Sequence, residues 1–384
     1  MKLVIHDMSE EEWEKISDDY FHWKVLSQRR TIQPCVGCFG CWVKTPGQCV
    51  LNDDYANMGS LIHEAEEIVV ISKYTYGGFS SYVKNVFDRC IGWLLPYFEV
   101  VNGETHHKKR YPEKKPMTFI FRGNGLTEED KEKARRYVEA VCLNFRGIIK
   151  DIRFEECEDE IITKQSESNP VAQSHKVILL NGSVRGNEAN SKKFLDRVAK
   201  EIEGAVESIN LASYNNNYDK LLEKLSTADR LVLGLPMYVD GIPSALLRVM
   251  ERIEKTDIGS GKKIYAVVNM GFYESSQIKN VLSSVKDWSD KCGFEYCGGL
   301  AIGAGGMMGT MSTVPSYVKC PAQNVVNGLE AIGMLVNTSQ KTDDIYADAF
   351  KYPRFLYIKA ANAGWHKYAE QYGLKKKDLK KRLG

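Results

Sequence analysis

A loop of small and hydroxyl residues carries the clearest chemistry in the sequence. Residues 182–191 read Gly-Ser-Val-Arg-Gly-Asn-Glu-Ala-Asn-Ser and stand between an apolar segment and a helical pattern. Backbone N–H groups and a helix N-terminus can bind an anion there, and hydroxyl, amide and guanidinium side chains can add hydrogen bonds. The loop has neither the lysine of a nucleoside triphosphate site nor the glycine spacing of a dinucleotide site. It predicts a phosphomonoester site with the donors Ser183, Arg185, Asn190 and Ser191; an ordinary capped turn is the alternative.

The second candidate site is the cysteine loop, residues 35–49, which holds four of the ten cysteines. Cys35, Cys38 and Cys41 follow one another at two-residue gaps, and Cys49 follows after a longer one. Three thiolates spaced in this way can hold one corner of a [4Fe–4S] cluster while a fourth closes it. Zinc also accepts four thiolates, usually from two separated pairs. Thiols without any metal are the third alternative.

Both loops need a scaffold, and the chain alternates short apolar strand patterns with helical patterns. This alternation implies parallel sheets covered by helices on both faces, an α/β fold. The strand candidates in the first half are Leu3 to His6, Trp23 to Leu26, Glu67 to Ser72 and Met117 to Phe121. Those in the second half are Val177 to Leu180, Val206 to Leu211, Arg230 to Leu235, Lys263 to Asn269 and Tyr296 to Ile302.

A length of 384 residues fits two domains of ordinary size. We expect a first domain at residues 1–160, a polar linker at 161–175, a second domain at 176–336 and a C-terminal helical extension at 337–384. Residues 68–89 parallel residues 231–252, because each segment contains a strand, a turn with tyrosine and glycine, and a helix that ends in an acid–arginine pair. The two halves therefore look like distant copies.

The second half resembles a known family. The pattern Gly182-Ser183-x-Arg185, followed by Asn190-Ser191, resembles the phosphate loop of the NAD(P)H-dependent FMN reductases and multimeric flavodoxins. The resemblance covers nearly all of residues 176–334 and implies a flavodoxin-like fold with FMN bound by its phosphate in this loop. It also implies that two further loops contact the flavin ring, with the residues Pro236, Met237, Tyr238, Asp240, Gly241, Gly271 and Tyr273. Exposed backbone N–H groups around Asp240 and Gly241 are expected to bond the polar edge of the ring.

The first half departs from this pattern. Where a phosphate loop is expected, Leu3 to Glu10 supplies acidic residues, which repel phosphate, so we expect a degenerate copy without an ordinary FMN site. Its cysteine loop resembles the compact motif of iron–sulfur flavoproteins, which implies Cys35, Cys38, Cys41 and Cys49 as ligands of a [4Fe–4S] cluster. Relatives associate through flavodoxin-like subunits, which implies a pseudo-dimer of the two halves and a homo-oligomer as a further expectation.

Composition excludes several classes of partner. Lysine and arginine number 52 against 50 acidic residues, and a net charge of +2 creates no field that would attract nucleic acid or an anionic membrane. The apolar stretches are far shorter than the roughly 20 residues of a membrane-spanning helix. The N-terminus lacks the features of a secretory signal, so we expect a cytoplasmic protein.

Three functions remain open. The first is an FMN-dependent oxidoreductase that passes electrons from NADH or NADPH to a small acceptor such as a flavin or quinone. The second is an iron–sulfur flavoprotein that carries electrons for a redox protein partner. The third makes the first half a non-catalytic interaction module with buried cysteines. The sequence names no catalytic acid or base.

Overall fold

The computed structural model describes residues 1–29, 32–157, 176–214, 217–315 and 319–383. The chain forms two compact units: Met1–Glu160 with Ile358–Gly384, and Ile161–Tyr357. We call them the first and the second unit. The linker expected at residues 161–175 lies outside the described residues. Among the helices of the described residues, none is long and apolar enough to cross a membrane.

The first unit contains a five-stranded parallel sheet with the order β2-β1-β3-β6-β7. An antiparallel hairpin, β4 and β5, is inserted before β6. The strands are β1 (Lys2–His6), β2 (Lys24–Leu26), β3 (Glu67–Lys73), β4 (Leu94–Val101), β5 (Glu104–Lys109), β6 (Lys115–Arg122) and β7 (Gly147–Glu155). The α-helices that begin in this part of the chain are α1 (Glu10–Glu14), α2 (Gly40–Val43), α3 (Met58–Glu64), α4 (Ser81–Arg89) and α5 (Glu128–Phe145).

The second unit contains a six-stranded parallel sheet with the order β13-β12-β11-β10-β8-β9. The strands are β8 (Val177–Asn181), β9 (Val206–Asn210), β10 (Arg230–Pro236), β11 (Lys263–Asn269), β12 (Glu295–Ile302) and β13 (Ile345–Ala347). The helices are α6 (Asn190–Ala199), α7 (Tyr218–Ser226), α8 (Ser244–Ile253), α9 (Lys279–Cys292), α10 (Gly305–Met311), α11 (Gln323–Thr338) and α12 (Arg354–Glu370), of which α12 continues into the residues grouped with the first unit.

Short 3₁₀ helices complete the described elements: Ser17–Tyr20, Ile91–Trp93, Gly186–Glu188, Leu211–Tyr214, Ser275–Ile278 and Asp378–Lys380.

Each sheet follows the same strand order. Without the hairpin and β13, both sheets read 2-1-3-4-5, the order of flavodoxin-like folds. The central strands β3, β8 and β10 are buried over nearly their whole length, as expected for a parallel sheet with helices on both faces. The predicted fold class, an α/β fold with two tandem parallel sheets, is confirmed.

Several elements differ from the sequence expectation. The hairpin β4–β5 and the strand β7 were not expected, because β5 carries charged residues and β7 exposes alternate side chains at the sheet edge. Residues 337–384 do not form one extension. Residues up to Tyr357 group with the second unit, where β13 pairs with β12, and Ile358 to Gly384 group with the first unit.

The end of β1 buries a histidine without polar contacts. His6 is only 2% exposed, and neither of its ring nitrogens has a hydrogen-bond partner among the described residues. Its ring stacks on Trp13 of α1 with the ring centroids 3.9 Å apart. Burial, with smaller contributions from Arg29 and Arg122, lowers the pKa of His6 to about 4.

We expect this histidine to make the protein sensitive to acid. In the folded state His6 stays neutral down to about pH 4, whereas the ordinary histidine side chain has a pKa of 6.5. The stability that depends on neutral His6 is therefore complete above pH 6.5 and is lost as the pH falls towards 4. The loss amounts to about 3 kcal/mol. His6→Phe keeps a ring against Trp13, so its free energy of unfolding should fall less over this range in denaturant titrations. If the free energies of unfolding of the two proteins fell equally over this pH range, this account would be contradicted.

Candidate functional site

The carboxyl end of β8 is organised by one side chain, Asn181. Its amide nitrogen donates to the carbonyl of Gly186 (2.9 Å) and to the side-chain oxygen of Asn210 (2.8 Å). Its oxygen accepts from the hydroxyl of Ser191 (2.7 Å) and from the backbone N–H of Ser183 (3.2 Å). Asn181 therefore fixes the path of the 182–191 loop. Asn181 was not predicted from the sequence, although a polar residue that ends a buried apolar strand is a visible signal.

The helix that follows the loop begins without a side-chain cap. The N-cap residue of α6 is Ala189, and no side chain accepts a hydrogen bond there. The N–H groups of a first helical turn have no partner inside the helix, so they need a side chain, water or a ligand. Together with the partial positive charge of the helix end, this arrangement suits a phosphate.

The four predicted phosphate donors have different surroundings. The buried Ser191 hydroxyl donates to Asn181, and the Ser183 oxygen accepts the N–H of Arg185 (3.3 Å), so both serines also shape the loop. The Arg185 guanidinium is about one third exposed and lies 3.9 Å from the Glu188 carboxylate. Asn190 packs against the backbone of Gly309, because a methyl group at position 309 would lie 2.3 Å from the Asn190 oxygen. Arg185 is the one charged donor among the four, and its guanidinium is partly exposed.

A tight turn follows β10. Tyr238 and Gly241 exchange two backbone hydrogen bonds of 3.0 Å each. The residues between them, Val239 and Asp240, have φ angles of 43° and 56°. Two positive φ angles in succession define a type I′ turn, which normally uses asparagine, aspartate or glycine. A β-branched valine in this conformation stores strain of the kind found at functional sites.

The ring-contact prediction for this turn needs one correction. The backbone N–H of Gly241 was expected to be open to the polar edge of a ligand ring. It donates instead to the Tyr238 carbonyl, because the two residues close the tight turn. Asp240 is buried at 3% exposure and Met237 at 9%, whereas Pro236 and Tyr238 are half-buried. The backbone N–H of Met237 donates to the carbonyl of Asn269, which ties the turn to β11 (2.8 Å).

The loop after β11 is held by residues far along the chain. The Tyr273 hydroxyl donates to the carbonyl of Tyr352, and the Tyr357 hydroxyl donates to the carbonyl of Gly271. Arg354 forms an ion pair with Glu274 (2.8 Å). Burial raises the pKa of both tyrosines, which keeps the hydroxyls as proton donors. Gly271 is exposed and Tyr273 is half-buried, so Tyr273 also has a structural role that the sequence did not indicate.

Asn269, the last residue of β11, is a second residue that the sequence analysis did not single out. Its side chain is 6% exposed, and its amide oxygen has no hydrogen-bond partner among the described residues. A buried acceptor without a partner is costly and usually has a role. Asn269 stands at the edge of the sheet that carries the 182–191 loop and the 235–243 turn, which makes it a candidate contact for a polar ligand.

The first unit keeps the turn but not the anion site. Thr75 and Gly78 exchange the same two hydrogen bonds of 3.0 Å, and Tyr76 and Gly77 have positive φ angles of 48° and 85°. After β1, however, Ser9 caps α1. The Asp7 carboxylate accepts the N–H of Lys73, and burial raises the pKa of Asp7. Acidic side chains therefore take the N–H donors that a phosphate would need.

The cysteine loop surrounds its thiols with fixed donors. The Cys49 sulfur accepts from Arg89 (3.2 Å), whose guanidinium also binds both carboxylate oxygens of Asp53 (2.7 and 2.8 Å). The Cys38 sulfur accepts the N–H of Gly40 (3.3 Å). Burial, together with the neighbouring thiols, raises the pKa of Cys35 to about 12 and that of Cys41 well above the ordinary value.

The described part of the cysteine loop shows no metal site. In the part of the chain that the structure describes, no group of three or more histidine, cysteine, aspartate or glutamate side chains is arranged to hold a metal ion. The iron–sulfur cluster stays a prediction from the sequence.

Comparison with known proteins supports the fold of the second unit. Residues 175–311 match the profile of a family described as having a flavodoxin-like fold. This range runs from the start of β8 to the end of α10 and contains all three loops described above. No curated protein matches the chain in sequence.

Solved structures with some likeness include a flavone reductase, an azoreductase from Bacillus anthracis and general stress protein 14 from Treponema denticola in complex with FMN. Their sequence identities are 14%, 16% and 13%, and their TM-scores are 0.36, 0.32 and 0.28. The matches cover 44%, 43% and 52% of this chain, and 66%, 100% and 99% of those chains. TM-scores this low carry no functional argument.

Two glycines of the second unit provide a matched test of the site's packing. A methyl group at Gly303 would lie 2.2 Å from the Tyr273 carbonyl oxygen and 2.9 Å from the Ser275 nitrogen, whereas one at Gly306 would meet nothing within 4 Å. We expect Gly303→Ala to displace the 271–275 loop and to lower the free energy of unfolding by about 1–3 kcal/mol. Gly306→Ala, inside α10, should be neutral or stabilising. Thermal unfolding of both variants measures the difference, and equal melting temperatures would contradict the described packing.

Proposed function

We propose that the second unit binds FMN and that the protein is an NAD(P)H-dependent flavin oxidoreductase that passes electrons to a small acceptor. The observation that carries this proposal is the uncapped N-terminus of α6 behind the 182–191 loop. It stands after β8, beside the 235–243 turn after β10. In flavodoxin-like sheets these neighbouring strands flank the point at which strand order reverses, where ligands bind at the carboxyl ends of the strands.

The residues of this edge fit a flavin mononucleotide in chemistry. The first-turn N–H groups of α6, the Arg185 guanidinium and the hydroxyl of Ser183 would hold the phosphate, with Asn190 and Ser191 bounding the loop. Pro236, Met237, Tyr238 and Asp240 would border the ring on one side, and the loop with Gly271 and Tyr273 would border it on another. The open acceptor of Asn269 would meet a ring N–H group.

The bound flavin would supply the redox chemistry, taking a hydride from NADH or NADPH and delivering electrons to an acceptor such as a free flavin or a quinone. The chain's own part is to hold the cofactor, to shape its surroundings and to leave one ring face accessible. The 182–191 loop lacks a dinucleotide fingerprint, so the nicotinamide coenzyme would bind transiently as a substrate.

The electron-carrier alternative rests on the cysteine loop. Cys35, Cys38, Cys41 and Cys49 lie within fifteen residues, at the spacing that resembles the motif of iron–sulfur flavoproteins. If they held an iron–sulfur cluster after deprotonation, the protein would exchange electrons with a redox protein partner. Iron and acid-labile sulfide in protein purified without oxygen would favour this second function.

The decisive experiment combines a cofactor titration with anaerobic reduction. We expect about one FMN per chain, because the first unit occupies its anion position with acidic side chains, and rapid loss of flavin absorbance on addition of NADH or NADPH. Absence of FMN binding would refute the proposal. Bound FMN that is reduced only by a protein reductant would favour the electron carrier, and two FMN per chain would contradict the account of the first unit.

Arg185→Met tests the phosphate contact directly. The variant should bind FMN at least about tenfold more weakly, because a charge-assisted hydrogen bond to phosphate is lost, while riboflavin, which has no phosphate, should bind as before. Arg252→Met is the matched control, since Arg252 is a half-exposed arginine of the same unit paired with Asp219. Both affinities follow from flavin fluorescence titrations. Equal weakening of FMN and riboflavin would place Arg185 away from the phosphate.

A further inference from the structure

The end of the chain lies over the cysteine loop. We call residues 358–383 the strap; they comprise most of α12, a 3₁₀ turn and the residues up to Leu383. The strap and the cysteine loop share one apolar cluster, which contains Cys41, Trp42, Ala369 and Leu379. Ala369 and Leu379 are fully buried. The strap therefore contributes part of the cover of Cys41, a residue that is 7% exposed.

Aromatic contacts fix α12 against the same loop. The ring of Trp365 lies 5.3 Å from that of Trp42 and 5.4 Å from that of Phe39, both in edge-to-face geometry. The Tyr368 hydroxyl lies within hydrogen-bond distance of the Cys38 carbonyl (3.4 Å). Cys41 is thus in the part of the loop that the strap covers. Cys38 is half-buried and meets the strap through its carbonyl, whereas Cys35 and Cys49 contact Asn85 and Arg89 of α4.

The last residues are held by backbone contacts. The buried guanidinium of Arg110 donates to the strap carbonyls of Leu379 (2.8 Å) and Lys381 (2.6 Å). The Tyr111 hydroxyl donates to the Leu383 carbonyl (2.9 Å) and accepts its N–H (3.1 Å). Arg110 and Tyr111 of the first unit thus hold the backbone of the strap in place through hydrogen bonds.

Farther up the strap, the Asn362 side chain accepts the N–H of Phe98 (2.7 Å) and donates to its carbonyl (3.1 Å). These two bonds lie on β4, in the inserted hairpin. They anchor α12 at a point outside the cysteine loop.

Among the described residues, the strap contributes no strand to the five-stranded sheet of the first unit. Its detachment would break side-chain and loop contacts and leave the pairing of those strands intact, so it could occur as a local opening. The side chains of Lys375, Lys376 and Lys377 are exposed on the strap and take no part in the cover.

We propose that the strap is a detachable cover that controls chemical access to the thiol of Cys41. While the strap is bound, electrophiles and oxidants reach this thiol slowly. When the strap detaches, the thiol becomes accessible with the rest of the first unit still folded. This inference does not depend on flavin binding in the second unit.

The test is site-resolved alkylation with iodoacetamide, followed by peptide mass spectrometry, on the purified full chain and three variants. Leu379→Ala removes an apolar contact of the cover, and truncation after Leu374 removes the final anchors. Lys377→Ala changes an exposed strap residue and is the matched control. Cys90 and Cys142, which are buried elsewhere in the first unit, report on global unfolding.

We expect Leu379→Ala and the truncation to accelerate alkylation of Cys41 at least about tenfold, with Cys90 and Cys142 unchanged and Lys377→Ala like the parent. Unchanged alkylation of Cys41 in both variants would overturn the proposal. Equal acceleration at Cys90 and Cys142 in both variants would also overturn it, because the unit would then open as a whole.

Discussion

The hydrogen bonds of the Asn181 carboxamide are the contacts on which the candidate site depends. They connect the end of β8, the backbone of the 182–191 loop, the first turn of α6 and Asn210 at the end of β9. A loop rich in glycine has many accessible conformations, and ordering it costs conformational entropy. A buried carboxamide with four partners offsets part of that cost before any ligand arrives. The N–H groups of α6 consequently point in a fixed direction before any anion binds, so the site is preorganised.

The two units share the backbone geometry that follows from their common strand order, but they differ in the side chains at the start of the first helix after the first strand of each sheet. Both sheets bring the turn after the third strand to the same edge, and in both the turn has two successive positive φ angles. Backbone geometry is therefore retained even where a valine or a tyrosine must adopt it. The anion position differs completely, since α6 begins without a cap while α1 begins with the Ser9 and Glu12 capping box. The two units thus differ at the helix start that follows their first strand, where side chains cap α1 and leave α6 uncapped.

The sequence was sufficient for the fold class and for the loops that follow β8, β10 and β11, because apolar strand patterns and turn residues are local signals. It was insufficient for features made by residues distant in the chain. Tyr273 was assigned to a ring contact, yet its hydroxyl meets the carbonyl of Tyr352, 79 residues later. The Gly241 N–H was expected to be open, yet the turn uses it. Asn181 and Asn269 were overlooked, although each is a polar residue that ends an apolar strand, because the partners of one and the missing partner of the other are seen only in the fold.

The bonds between Asn362 and Phe98 have a consequence for association between chains. Phe98 belongs to β4, whose partner in the hairpin is β5. The N–H and carbonyl that Phe98 gives to Asn362 are the groups through which another strand could pair with β4. The Asn362 carboxamide makes the two hydrogen bonds that the backbone of a neighbouring strand would otherwise make. Covering the hydrogen-bonding groups of an edge strand is one way in which proteins avoid edge-to-edge polymerisation. Detachment of the strap would expose this edge of β4 to other chains. Exposure of the Cys41 thiol and a tendency to aggregate would then arise from the same movement.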